Sequence, residues 1–260
     1  MDDMIARVAE LIRTAQGIVV LTGAGISAES GLRTFRSASK TDLPADMQAL
    51  WKEFDPMKLA TPEAFDADPA GVSKWYDWRR LGCLAAEPNP GHKSLAEIER
   101  GATGRAAQFT LLTQNVDRLH QKAGSRRVVE LHGSIIRWRC TSCETKVTPG
   151  LEPMPAFPQR SPCCPRDREA ILRPDVVWFG EALPFDALRA TDEALATCDL
   201  FLSIGTSSVV HPAASFIQIA ADNGAHTVEI NPEATPISRM VNFSLRGKSG
   251  DVLPRIVRAL

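Results

Sequence analysis

Apolar residues Met4, Ile5, Val8, Leu11, Ile12 and Ala15 recur at helical spacing near the start of the chain, and Gly17 closes that pattern before an uninterrupted apolar run at 18–21. The first spacing predicts an amphipathic helix and the second a strand buried on both faces. The strand signature returns at 109–113, 128–131, 200–204 and 227–230, with stretches of helical character between. Strands alternating with helices predict an α/β fold, a parallel sheet covered on both faces. Two stretches break the rhythm: 41–87 carries Pro44, Pro56, Pro62 and Pro69 among short helical patterns, and 139–168 is rich in Cys and Pro with little periodicity. The expected organisation is a nucleotide-binding domain of 1–40, 88–138 and 169–260, with a helical insert at 41–87 and a zinc-ribbon-like insert at 139–168. The two inserts would form a smaller lobe, and the cleft between lobes is the expected site.

Composition narrows the partners. With 260 residues, 44% of them hydrophobic and 23% charged, and a formal net charge of -1, the chain carries no field that would draw it to nucleic acid or an acidic membrane. Its apolar runs fall well short of the ~20 residues that a membrane span needs. Asp2 and Asp3 stand where a secretory signal would be basic, so the expected location is cytoplasmic.

Of six cysteines, Cys140, Cys143, Cys163 and Cys164 crowd into one short region, a distribution that favours metal over a disulfide framework. Cys140-Thr-Ser-Cys143 has the knuckle spacing of structural zinc, whereas the second half offers adjacent Cys163 and Cys164, then Asp167 and Arg168. Zinc held by four thiolates, zinc with Asp167 replacing one of them, and a metal-free, easily oxidised module all fit that spacing. Cys83 and Cys198 read as small buried hydrophobes.

Directly after the first strand stands Thr22-Gly-Ala-Gly-Ile-Ser-Ala-Glu-Ser-Gly31. Its glycines would let backbone approach phosphates, with a helix N-terminus adding donors; a plain Gly-rich turn fits the same residues, because the third glycine comes too late for the dehydrogenase fingerprint. The segment runs on through Leu32-Arg-Thr-Phe-Arg36, and later come Thr113-Gln-Asn-Val-Asp-Arg-Leu-His120, Leu131-His-Gly-Ser134, Gly205-Thr-Ser207 and Asn231-Pro-Glu233. In this order these stretches resemble the sirtuin family, and the resemblance runs from Ile18 to the terminal helix. Arg33 departs from it, standing where many relatives carry proline.

The resemblance implies a Rossmann-like domain with a small lobe, NAD as co-substrate, zinc remote from the chemistry, and acyl-lysine proteins or peptides as substrates. It implies His132 as general base and Asn115 as its companion at the reaction centre. It assigns NAD to Gly23, Ala24, Gly25, Ser27, Glu29, Phe35, Arg36, Gln114, Asn115, Val116, Asp117, Gly205, Thr206, Ser207, Asn231, Pro232, Glu233 and Ser249. Val177, Trp178, Phe179 and Gly180 would pair with substrate backbone as an added strand. The residues by themselves place His132 at a strand's carboxyl end with a side chain suited to base chemistry, and a structural histidine fits the same position. They equally allow Asn115 and Asp117 to be helix caps and Gly205 to Ser207 a turn, and they give His92, His120, His211 and His226 a structural reading.

Within the helical insert, Trp75-Tyr-Asp-Trp-Arg-Arg80 puts Tyr76 and Arg79 three residues apart, on one helix face. A guanidinium fork and a phenol could clamp a carboxylate, and the pair resembles the Tyr-x-x-Arg signature of desuccinylase- and demalonylase-type sirtuins. A Trp-rich core helix with solvated arginines fits the same six residues. Tyr76 is the only tyrosine in the chain, which favours a required hydroxyl. A general deacetylase, a protein mono-ADP-ribosyltransferase and a non-catalytic NAD sensor are the alternatives to an acidic-acyl deacylase.

Overall fold

The computed structural model describes residues 1–32, 41, 44, 48, 55–143, 145–154, 164–166 and 170–260. The chain opens with α1 (Asp2–Thr14), β1 (Gly17–Thr22) and α2 (Ala24–Ala28), then runs through α3 (Pro56–Leu59), α4 (Pro62–Ala67), α5 (Pro69–Ala85) and α6 (Pro90–Gly104). Next come β2 (Gln108–Thr113), α7 (Leu119–Lys122), β3 (Val128–Glu130), β4 (Gly133–Cys140), β5 (Lys146–Val147) and β6 (Leu172–Val176). The remainder is α8 (Phe185–Ala196), β7 (Leu200–Ile204), α9 (Phe216–Asp222), β8 (His226–Asn231), β9 (Phe243–Arg246) and α10 (Ser249–Arg258).

Prolines that interrupt the sequence rhythm turn out to begin helices. Pro62, Pro69 and Pro90 stand in the first turns of α4, α5 and α6, where a missing N–H costs nothing. Each is preceded by a capping side chain: Thr61 accepts from the Ala64 N–H, Asp68 from Gly71 and Asn89 from Gly91. In α1, Asp2 and Asp3 complement the helix dipole while Ile5, Val8, Ala9 and Ile12 face the core.

Among the described residues β1, β2, β3, β7, β8 and β9 form one six-stranded parallel sheet in the order β3-β2-β1-β7-β8-β9. Central β1 is buried along its whole length, with Val20 opposite Leu111 on one side and Leu202 on the other. One face packs against α1, α6 and α10 through Val8, Leu95, Leu253 and Ile256, and the other against α8 and α9 through Leu195, Phe216 and Ile217. Strand order reverses between β1 and β7, so the crevice at their carboxyl ends is where such a sheet receives a ligand. β9 escapes the hydrophobic pattern because it has only four residues at the sheet edge, and pairing with β8 recruits it. No described helix is long and apolar enough to cross a membrane.

A second, antiparallel sheet of order β5-β4-β6 lies beside the first. It takes in Gly133–Cys140 and Leu172–Val176, most of which the sequence rhythm groups with the larger domain. The chain leaves the parallel sheet at Gly133, whose φ is +75° and where a Cβ would lie 2.1 Å from the Asp175 carbonyl oxygen. Only glycine meets both conditions. The core of this lobe joins Phe65, Trp75, Tyr76, Trp138, Cys164, Leu172 and Trp178, so helical and cysteine-rich segments pack as one body. Arg137 ties the lobes together, with Nη2 2.7 Å from Glu130 and Nε 3.1 Å from Asp175.

Candidate active site

At the crevice the loop after β1 lies directly on the end of β7. The Gly25 N–H donates to the Gly205 carbonyl at 2.8 Å, and a Cβ on Gly25 would stand 2.6 Å from that same oxygen. Gly205 has φ +60°, and a Cβ there would lie 2.5 Å from the Ile26 nitrogen. The glycines thus serve backbone-on-backbone contact, and two N–H groups expected to face a ligand are engaged internally, Gly23 on Ile204 and Gly25 on Gly205. α2 has only five residues, so its dipole is weaker than that of a full-length helix. The contact seats the loop after β1 on the end of β7 at the switch point, where an open α/β sheet receives its ligand.

Thr22, Gln114 and Thr206 line the neighbouring strand ends. The Gln114 side chain donates to Thr206 Oγ1 at 3.0 Å, bridging β2 and β7 across β1. Asn115 is buried, and its Nδ2 donates to the Gly23 carbonyl and to Ser27 Oγ, both at 3.1 Å, which leaves Oδ1 to accept. Ser27 in turn donates to Asp117 Oδ2 at 2.7 Å, while Asp117 Oδ1 accepts the Leu119 N–H at 2.8 Å. Capping and site-building therefore coincide in Asp117. Burial raises its pKa against the hydrogen bonds from Leu119 and Ser27 and the charge of Arg79.

His132 follows β3 and is half-buried. Its Nδ1 lies 3.0 Å from the Gln114 carbonyl oxygen, which can only accept, so Nδ1 carries the proton and Nε2 the lone pair. Burial lowers the His132 pKa, only partly offset by that bond. A neutral imidazole with an open Nε2 is the form a general base requires.

Two histidines given a structural reading lie under this site. His120 Nε2 is 2.9 Å from Thr22 Oγ1, which also bonds Thr113 at 2.9 Å, and His92 Nε2 is 3.5 Å from Ser27 Oγ. The rings meet edge to face at 4.9 Å, and neither Nδ1 has a partner among the described residues. Lone histidines in a sequence give no sign of such a pairing, because the ring contact joins α6 to α7. Desolvation lowers the His92 pKa from 6.5 to about 4 and takes His120 well below its ordinary value, with His92 repelling it further. Above pH 6.5 neither folded nor unfolded chain is charged at His92; below it the unfolded chain protonates first, so stability is lost as pH falls from 6.5 to about 4. The loss from His92 is on the order of 3 kcal/mol. Urea unfolding of wild type and His92→Gln at pH 7 and pH 4.5 measures it, and the variant should show a smaller loss, the remainder including that from His120; an equally steep loss in the variant would assign the acid sensitivity elsewhere.

Towards β8 and α10 the expected residues are partly engaged with one another. Ser249 Oγ donates to Glu29 Oε1 at 2.8 Å, and the Gly250 N–H donates to the same atom at 3.0 Å, so Glu29 caps α10. Asn231 Nδ2 donates to the Glu233 carbonyl at 3.0 Å, folding Asn231, Pro232 and Glu233 into a turn. Val116 belongs to the small-lobe contact, packed against that core, and Ala24 starts α2. Ser207 is partly exposed beyond Thr206. Phe35 and Arg36 lie outside the described residues, as does Arg33.

In the small lobe Tyr76 is buried on α5 and accepts a hydrogen bond from Trp178 Nε1 at 2.9 Å. The Arg79 guanidinium carbon lies 5.0 Å from the Trp75 ring centroid and 5.7 Å from that of Tyr76. Arg80 is the structural arginine of the helix, fully buried and bonded to Asp77 and to the Gly150 and Glu152 carbonyls. Along 177–180, Val177 N–H donates to the His132 carbonyl, Trp178 N–H to Glu181 Oε2 and Phe179 N–H to the Ala60 carbonyl. An incoming strand would therefore be met there chiefly by carbonyl acceptors, with Gly180 leaving by φ +87°.

The thiols of Cys140, Cys143 and Cys164 all lie within 4.8 Å of one another, and Cys163 lies outside the described residues. Backbone N–H groups of Ser142 and Cys143 point at Cys140 Sγ at 3.3 and 3.4 Å, and that of Arg166 at Cys164 Sγ at 3.4 Å. Hydrogen bonds from Thr145 lower the Cys143 thiol to about 7. These three supply most of the tetrahedral set that structural zinc takes. Cys164→Ser is expected to lower zinc content measured by mass spectrometry and to drop the unfolding midpoint by roughly 10 °C, given about 2–4 °C per kcal/mol at this size. An unchanged metal content would remove Cys164 from the site.

Residues 23–212 match the Sir2 family. The NAD-dependent protein deacylase 2 of Pyrobaculum aerophilum is 47% identical over 250 residues, covering 96% of this chain and 93% of that protein. The crystal structure of a Sir2 homologue in complex with NAD is 41% identical, with a TM-score of 0.86 over 97% of this chain and 92% of the other. A Sir2 protein bound to acetylated peptide is 28% identical, with a TM-score of 0.80 over 98% and 97% of the two chains.

Proposed function

The chain belongs to the Sir2 family, and from that premise we propose that it is an NAD-dependent protein-lysine deacylase that removes succinyl and malonyl groups in preference to acetyl. The observation that carries the acid preference is the placing of Tyr76 and Arg79 on one face of a small-lobe helix, the phenol already held by Trp178. Bound NAD would supply an electrophilic ribosyl carbon with nicotinamide as leaving group, and with uptake of one water the acyl group would pass to ADP-ribose and lysine would be freed.

Each residue of the site has a task that its geometry permits. Gly23 and Gly25 let the loop after β1 lie against Thr206 and Gly205, and the pyrophosphate would sit where this loop meets the end of β7, with the Thr206 and Ser207 hydroxyls beside it. Asn115 presents Oδ1 to a ribose hydroxyl, its Nδ2 being held by Gly23 and Ser27. Asp117, raised in pKa by burial, suits the nicotinamide carboxamide, and Asn231 with its turn suits the adenosine ribose. Nε2 of His132 would take a proton from a ribose hydroxyl after the acyl oxygen has displaced nicotinamide, so that this hydroxyl can attack the acyl carbon. Arg79 and Tyr76 hold the carboxylate of the acyl tail by a charge-assisted and a neutral hydrogen bond. The thiol site holds the small lobe together and takes no part in the chemistry.

One peptide bearing acetyl-, succinyl- or malonyl-lysine, incubated with NAD while peptide mass and nicotinamide are followed together, tests this reading. Succinyl and malonyl removal ahead of acetyl is the expected result. Acetyl removal alone would leave a general deacetylase, and label from NAD appearing on protein would favour ADP-ribosyl transfer.

A further inference from the structure

Trp178 is held on several sides. The Arg173 guanidinium carbon lies 3.3 Å from the centroid of its ring, and Phe65 packs at 5.3 Å between centroids. Arg173 is itself fixed by Glu181 through bonds of 2.6 and 2.9 Å and by the Val176 carbonyl at 3.0 Å, while Glu181 Oε2 accepts the Trp178 backbone N–H at 2.8 Å. The indole therefore has little freedom to turn, and its N–H ends 2.9 Å from the Tyr76 hydroxyl oxygen.

An indole N–H can only donate, so Tyr76 must accept from it, and the phenol keeps one proton of its own to give. Tyr76 is 2% exposed, and no described residue accepts that proton. A buried donor without an acceptor is costly, and it is satisfied when a ligand brings an acceptor to it. A carboxylate oxygen is acceptor-only and suits the phenol with Arg79 beside it, whereas the methyl of an acetyl group offers nothing.

We propose that Trp178 is a specificity-determining positioning residue, which by donating to Tyr76 commits the phenol to donate in turn to a carboxylate-bearing acyl tail. The proposal rests on the acidic-acyl reading above and adds to it a residue whose side chain acts through Tyr76. Burial pushes the Tyr76 phenol up to about 12, so it keeps its proton throughout the working range.

The test is a double-mutant cycle read as the ratio of kcat/KM for succinyl-lysine to that for acetyl-lysine, in wild type, Trp178→Phe, Tyr76→Phe and the double variant. Trp178→Phe should lower the ratio about 10-fold, mainly through the succinyl KM, as loss of one buried hydrogen bond does. In the Tyr76→Phe background the same change should leave the ratio where it is. An unchanged ratio in Trp178→Phe, or an equal drop in both backgrounds, overturns the proposal while the acidic-acyl reading stands. Absence of succinyl preference in wild type overturns that reading first, and the proposal with it. Should Trp178→Phe not fold, the indole proton resonance that moves on Tyr76→Phe identifies Trp178 in wild type. It should shift further with succinyl peptide than with acetyl peptide, and equal shifts overturn the proposal.

Discussion

Replacing His132 with tyrosine is expected to lower NAD-dependent deacylation by about 10²- to 10⁴-fold, the usual contribution of a positioned base, with NAD binding largely kept. The Gln114 carbonyl fixes the proton on Nδ1, and burial keeps the ring neutral, so Nε2 stands ready as a base without the protein having to deprotonate it. Because the His132 pKa lies below its ordinary 6.5, the acid limb of kcat/KM should fall below pH 6.5 as well. Peptide mass and nicotinamide release read out both results. Turnover that survives His132→Tyr at the wild-type rate would remove His132 as the general base.

Arg79→Met is expected to reduce succinyl and malonyl turnover by about 10- to 100-fold while acetyl turnover falls much less, since a hydrogen bond to a charged group is worth about 1.5–3 kcal/mol. Methionine keeps much of the aliphatic bulk beside Trp75 and Tyr76 and removes only the charge and the fork. Measured kcat/KM on the three acyl peptides decides it. An equal loss on acetyl-lysine would mean that Arg79 supports the lobe and does not read the tail. Arg79 also lowers the pKa of Asp117, so some common loss is expected, and the selective part carries the claim.

Several segments of the candidate site are legible in the sequence as local patterns. The β1 strand, the glycine loop, the stretch from Gln114 to Asp117 and the position of His132 all lie where a local pattern meets a strand end, and such patterns survive in one dimension. Partnerships made across the chain could not be read. His92 and His120 look like isolated histidines until α6 and α7 bring their rings to 4.9 Å, and the Trp178 N–H finds Tyr76 across 102 positions of sequence. β9 stayed hidden because four edge residues have too few neighbours in sequence to show a period.

The sequence by itself determined the alternation of strand and helix, the chemistry available at each strand end and the crowding of thiols in one segment, because periodicity and residue type are local properties. Only the tertiary structure decided which proton each of these groups holds. It put the Gln114 carbonyl on His132 Nδ1, engaged the Gly23 and Gly25 N–H groups on β7, and converged Cys164 on the Cys140 knuckle. It also set Trp178 as donor to Tyr76. Hydrogen-bond direction and desolvation depend on what lies within about 3 Å in space, and that is settled by how sheet and lobe pack.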